Sequence, residues 1–260
     1  MGCLDAKTAL VTGGSRGIGA AIVRRLAAEG AHIAFAYRES AEAADALVAE
    51  IDAEGGRALA IRADLSGSAS IATLFEAVDA AFGGAPNLDI LVNNAGAGSG
   101  GGDASLKGSS AALFDAMMAV NARAPFLVTQ AALPRLRASG RIVNIGSVSG
   151  RLAQHFAAGY AMSKRALQSL TLSTAVEVAG RGITCNLIAP GAVATDFIAA
   201  LRARPGFDEA TARMTPMGRM GEPEDIAGAV LMLARDEAGW VTGKIIEAAG
   251  GLALWWHRSP

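Results

Sequence analysis

The chain has 260 residues, 52% of them hydrophobic and 18% charged, with a formal net charge of -1. It is too apolar and too evenly charged for a disordered chain, and it lacks the basic excess that binding to a nucleic acid duplex requires. Its apolar stretches are broken by glycine, proline or charge before the roughly 20 residues of a bilayer span. The first residues do not show the basic-then-apolar pattern of a secretory signal. These features lead to the expectation of a cytoplasmic globular protein with neither nucleic acid nor membrane as partner. Two cysteines, Cys3 and Cys185, cannot build a disulfide framework. His32, His155 and His257 are far apart, so no metal site is expected.

Taken in chain order, apolar runs of strand length alternate with longer segments of helical period. Strands are expected at residues 8–12, 32–37, 58–63, 90–93, 141–145, 183–188 and 245–247. Helical patterns begin near Gly17, Ala41, Ser68, Leu113, Ala122, Gly159 and Glu222. This alternation describes one doubly wound α/β domain over residues 1–260, a Rossmann-type arrangement around a parallel sheet, with no linker dividing it. The glycine-rich stretch 96–102 reads as a mobile loop after the fourth strand. Residues 196–217 are too long for an ordinary connection and read as a short helical lid.

The first strand runs into TGGSRGIG at residues 12–19, and a helix-period segment follows at once. Gly13, Gly17 and Gly19 permit a sharp turn and close approach, while Ser15, Arg16 and Ile18 place free amides at a helix start, where a pyrophosphate is attracted. A P-loop is excluded, because no Gly-Lys-Ser/Thr follows. At the end of the second strand, where an acid would hold the ribose hydroxyls of NAD, stand Tyr37 and Arg38. With Arg16 they point to NADP(H) in preference to NAD(H), although Glu39 next door can blunt the local charge.

The chain has only two tyrosines. Tyr160 lies four residues before Lys164 in a helical segment, so both side chains share a face. A free phenol, with a pKa of about 10, is a poor acid–base catalyst near neutrality, and an adjacent ammonium would pull that value down. Ser147, just past the fifth strand, can offer a hydroxyl to the same carbonyl oxygen.

With these motifs the chain resembles the short-chain dehydrogenase/reductase family, from Thr8 to about Gly251. The resemblance rests on TGGSRGIG, Asp64-Leu65 after the third strand, NNAG at 93–96, Asn121 in VNARAPF, Ser147, YAMSK at 160–164 and PGAVAT at 190–195. It implies a sheet of order 3-2-1-4-5-6-7, a homotetramer or dimer, and hydride transfer between NADP(H) and a small carbonyl or alcohol. It also implies roles for single residues: Asp64 beside the adenine, Asn93 and Gly96 bracing the cofactor, and Thr195 at the nicotinamide carboxamide. Lys164 would hold the nicotinamide ribose, and Asn121 a water in a proton relay. Leu65, Ala95, Pro190, Gly191 and Val193 complete the implied cofactor set.

The chain departs from that pattern in three places. Ala249 stands before Gly250-Gly251, where the family often has Asp, and the tail carries Trp255-Trp256-His257. AVEV at 175–178 lacks the basic residue with which many 3-oxoacyl reductases, the most similar subgroup, dock an acyl carrier protein, so that partner is not expected. The competing reading is a dinucleotide-binding sensor or assembly protein of the same fold without catalysis, against which the intact tyrosine and lysine argue.

Overall fold

The computed structural model describes residues 2–100, 103–152 and 157–254. Seven parallel strands form one sheet in the order β3-β2-β1-β4-β5-β6-β7. They are β1 (Thr8–Thr12), β2 (His32–Tyr37), β3 (Arg57–Arg62), β4 (Leu88–Asn93), β5 (Leu136–Ile145), β6 (Thr184–Pro190) and β7 (Ile245–Ala248). The order implied by the family resemblance is the order observed. β1 is buried at every residue, as a strand covered on both faces must be.

One layer packs α1 (Gly17–Ala28), α2 (Ala41–Ala53) and α9 (Pro223–Ala234) against the sheet, around a core that includes Ile22, Leu26, Phe35, Val92 and Val230. The other packs α3 (Ser68–Phe82), α5 (Ala124–Ala132) and α6 (Ala158–Val178) over Leu74, Phe75, Leu91 and Ile142. Pro223 opens α9 at the one position where its missing N–H costs nothing. The backbone N–H of Glu222 donates to Asp225 Oδ2 at 2.8 Å to close a capping box.

Some boundaries differ from the sequence expectation, for local reasons. β5 begins at Leu136 rather than Arg141. Its first half carries Arg137, Ser139 (φ 61°) and Gly140, and the ladder to β4 slips between Leu88 and Ile90, so no apolar alternation marks it. β3 runs from Arg57 to Arg62, one residue earlier than expected, and β6 continues through Pro190.

The patterns that began near Leu113 and Ala122 belong to one helical tract. In it, α4 (Ala111–Met118) passes through a π turn (Ala119–Arg123) into α5. Although Asp115, Arg123 and Pro125 interrupt it, the helical tract Ala111–Ala132 contains an 18-residue stretch of mean hydropathy 1.3 and is long and apolar enough, by length and composition, to cross a bilayer, against the expectation that no stretch is. Here it covers the sheet, with Met117, Asn121, Ala124, Val128 and Ala132 buried. Residues 196–217 contain a 3-10 turn (Asp196–Ile198), α7 (Ala199–Arg202) and α8 (Phe207–Met214). The tail from Trp255 onward lies outside the described residues, as do residues 101–102 of the glycine-rich stretch.

Candidate active site

The site is built where β1, β4, β5 and β6 end. β1 delivers Gly13, whose φ of 66° is a left-handed value that glycine adopts without strain. A Cβ there would stand 2.9 Å from Ala95 Cα, closer than packing allows. Asn94, which the sequence reading passed over, anchors this loop: its Nδ2 donates to Thr12 O and Gly13 O, both at 3.0 Å. The only signal for it was the second asparagine of NNAG.

α1 starts at Gly17 from Arg16 in extended backbone (φ −154°, ψ 167°). No side chain caps its first amides, and no acid stands in its first turn. Such an end has N–H groups and a positive dipole to offer to an anion. Thr195 lies alongside, since a Cβ on Gly17 would come 3.3 Å from Thr195 Cγ2. The residues present therefore fit a dinucleotide pyrophosphate. Ile18 packs on the core, Leu65 is buried, and Val193 pairs in a lone β-bridge with Gly221. Gly191, past Pro190 at the end of β6, lies against Ala249.

At the far end of β2, an open depression is lined by Arg38, Glu39, Arg62, Ala63, Asp64 and Ser70. Tyr37, the last residue of β2, is half-buried and pairs in register with Arg62 of β3. The Asp64 carboxylate accepts the Ser66 N–H at 3.0 Å. That bond, with the Ser66 hydroxyl and the Arg38 charge, holds its pKa below the usual range.

Ser147, Tyr160 and Lys164 meet on α6 and the loop after β5. The Ser147 hydroxyl lies near enough to the Tyr160 phenol to favour its ionised form, and Ser147 Oγ accepts the Ser149 N–H at 3.1 Å. Lys164 is 3% exposed, and its Nζ donates to Ile145 O at 3.0 Å. A Cβ on Gly96 would stand 3.4 Å from Asn121 Oδ1 and 3.5 Å from Lys164 Nζ, which places Gly96 at this corner.

The electrostatics correct one expectation. Burial pushes the Tyr160 phenol up to about 12, with the Ser147 hydrogen bond pulling the other way. Burial also pushes Lys164 down to about 8. The lysine was expected to lower the tyrosine's pKa, but here desolvation of the phenolate dominates.

Two of the asparagines hold protein rather than an open site. Asn121, fully buried in the π turn, accepts the Ala97 N–H and donates to Ala97 O, both at 2.8 Å, and donates to Ser163 Oγ at 3.0 Å. It ties the loop after β4 to α6. Asn93 Nδ2 donates to Thr129 Oγ1 (3.0 Å) and Asn144 Oδ1 (2.8 Å), and Asn144 Nδ2 donates to Thr171 Oγ1 (2.8 Å). This buried chain runs beneath the site and links β4, β5, α5 and α6. Above the cleft, the Phe197 ring is 6.1 Å from the Tyr160 ring, tilted at 46°.

Known proteins share this architecture and these motifs. A family model described as enoyl-(acyl carrier protein) reductase matches residues 13–253. A 3-oxoacyl-[acyl-carrier-protein] reductase of Synechocystis sp. is 37% identical over 98% of this chain and 100% of its own. The solved structure of a short-chain dehydrogenase/reductase from Serratia marcescens is 40% identical. It covers 96% of this chain and 99% of that one, with a TM-score of 0.89. An angucycline C-6 ketoreductase solved with bound NADP is 39% identical over 97% of this chain and 98% of its own, with a TM-score of 0.91. Matched along nearly its whole length in both sequence and fold, the chain belongs to the short-chain dehydrogenase/reductase family of oxidoreductases.

Proposed function

We propose that this protein interconverts a ketone and a secondary alcohol, using NADP(H) in preference to NAD(H), with Tyr160 as general acid and base. The observation that carries the reading is the convergence of Tyr160, the Ser147 hydroxyl that draws on its phenol, and buried Lys164, whose Nζ is 5.8 Å from the Tyr160 ring. The dinucleotide, when bound, supplies or takes up the hydride; the chain's own groups handle the oxygen and the proton. In reduction, charge grows on the carbonyl oxygen, so the site must hold that oxygen and deliver a proton to it. Ser147 orients the oxygen by donating to it, and Tyr160 gives up its phenolic proton. A high phenol pKa keeps that proton in place at neutral pH, so the acid is loaded before each turnover. Lys164, below its pKa of about 8, brings a positive charge that favours the phenolate left behind. Asn121 fixes the loop after β4 against α6, and a water relay passing this corner would return the proton.

NADP(H) is favoured by Arg16, Arg38 and the absence of an acid at Tyr37, and by the NADP found in the angucycline ketoreductase. Self-association would cover Phe126 of α5 with Met162, Leu172 and Val176 of α6, large apolar side chains that stand exposed on the single chain. The exposed Val176 also gives an acyl carrier protein no cation to dock on at that point.

The test is consumption of NADPH and of NADH by the purified protein over a panel of ketones. Ketone-dependent oxidation, faster with NADPH, supports the reading. Tight binding of the dinucleotide without turnover of any ketone would support the competing view of a sensor.

A further inference from the structure

Four charged residues, Arg38, Glu39, Arg62 and Asp64, crowd the depression at the end of β2, and their pairing is uneven. Arg38 Nη2 is 2.8 Å from Glu39 Oε1 in an ion pair. Arg38 also faces Asp64, whose carboxyl is held in its charged form first by the Ser66 backbone and hydroxyl and then by the Arg38 guanidinium. A single cation is thus shared between two carboxylates.

Arg62 is placed differently. It ends β3 in register with Tyr37, and its Nε donates to Arg38 O at 3.2 Å. That bond lays the guanidinium along the rim of the depression that it lines. Among the described residues no carboxylate pairs with Arg62, and its two terminal nitrogens have no partner. A planar fork held by one edge, with its other donors free, suits a phosphate better than a guanidinium already engaged by acids.

We infer that Arg62, rather than Arg38, is the residue that discriminates a ribose 2′-phosphate from a ribose hydroxyl, with Glu39 acting as a built-in competitor for Arg38. The inference rests on the NADP(H) reading above and names the side chain that sets the preference. Arg38 joins the phosphate only when Glu39 releases it, so Glu39 sets an upper limit on the preference. The sequence gives Arg62 no prominence, because an arginine at a strand end reads as an ordinary solvated residue.

The test is calorimetric titration of the full chain with adenosine 2′,5′-bisphosphate and with 5′-AMP, two probes that differ only in the 2′-phosphate. The wild-type protein is expected to prefer the bisphosphate. Arg62→Ala should weaken bisphosphate binding about ten- to hundredfold, as loss of a charge-assisted contact does, and leave 5′-AMP unchanged. Arg62→Lys should restore part of the loss. Arg38→Ala should cost less than Arg62→Ala, and Glu39→Gln should tighten bisphosphate binding. A preference that survives Arg62→Ala, or a larger loss in Arg38→Ala, overturns the assignment while leaving the NADP(H) reading standing. A wild-type protein indifferent to the 2′-phosphate overturns that reading, and the assignment with it.

Discussion

Lys164 Nζ stands 5.8 Å from the centroid of the Tyr160 ring and spends its hydrogen bond on Ile145 O, 3.0 Å away at the end of β5. Cation and phenol therefore share one pocket, with the cation tethered to the sheet. The distance between them is set by the strand as much as by the helix that carries both residues.

Tyr160→Phe keeps the ring and its packing near Phe197 and deletes only the acid. Turnover of the best ketone is expected to fall by roughly 10² to 10⁴, the usual contribution of general acid catalysis, while NADPH binding measured by fluorescence largely survives. Retention of most of the activity would show that another group supplies the proton.

Burial of Lys164 makes stability depend on pH with a definite sign. The unfolded lysine keeps its proton to about pH 10.4, whereas the folded one gives it up near 8. Between these values the unfolded state binds the extra proton, so the folded state gains as pH rises. The penalty, on the order of 3 kcal/mol at 1.36 kcal/mol per pKa unit, is fully present below pH 8. Tyr160 acts in the opposite sense only above about pH 10, where the unfolded phenol ionises first. Urea midpoints of wild type and Lys164→Met should therefore converge from pH 7.5 to 10. A difference that stays constant over that range would contradict the buried-cation account.

Asn121→Leu removes three hydrogen bonds from a fully buried position and leaves the Ala97 N–H and carbonyl without partners. At about 1–3 kcal/mol for each buried group left unpaired, the chain should lose several kcal/mol in urea unfolding. Hydrogen exchange at the Ala97 amide should accelerate well beyond what the global loss explains. An unchanged Ala97 amide would mean that the loop has other supports.

Residues 196–217, expected to form a lid, are tied within themselves by the Arg202–Asp208 ion pair at 2.8 Å and to Gly250 by Met217 N donating to its carbonyl at 3.1 Å. Hydrogen exchange across them is expected to slow when NADPH and a ketone substrate are present together. Exchange that does not respond would mark the segment as a fixed wall.

The apolar face shared by α5 and α6 makes a prediction about assembly. Combining Phe126→Glu with Val176→Glu puts charge into the proposed contact, and the sedimentation coefficient should fall to that of a smaller species. Unaltered sedimentation would place the interface elsewhere.

The alternation of strands and helices and the Tyr160–Lys164 pair were legible because continuous apolar strands and i, i+4 spacing follow directly from burial on both sheet faces and from helix pitch, whereas the strand order came only with the family resemblance. The first half of β5 was not legible, since Arg137, Ser139 and Gly140 carry no apolar period and are held by pairing across a slipped ladder. The elevated pKa of Tyr160 was also hidden: spacing reveals that a cation is near, whereas the dielectric around the phenol is a property of the assembled walls. The neighbouring Glu39 was visible as a possible brake on Arg38, but the placement of Arg62, with Nε on Arg38 O, depends on the pairing of β2 and β3 and was not.

The π turn at Ala119–Arg123 records a count. A π turn takes up one residue more than the α-helix around it would need, and the surplus can be read as a single-residue insertion accommodated without breaking the helix. Removing Ala122 would let the tract close into regular α-helix with the flanking turns in their present phase, and the widened turn that carries Asn121 would be lost. Asn121 would turn away from Ala97 and Ser163 while Val128 and Ala132 stayed in the core. Such a shortened chain would be expected to keep its helical content and lose its site, so for this segment length is as much a part of the message as residue identity.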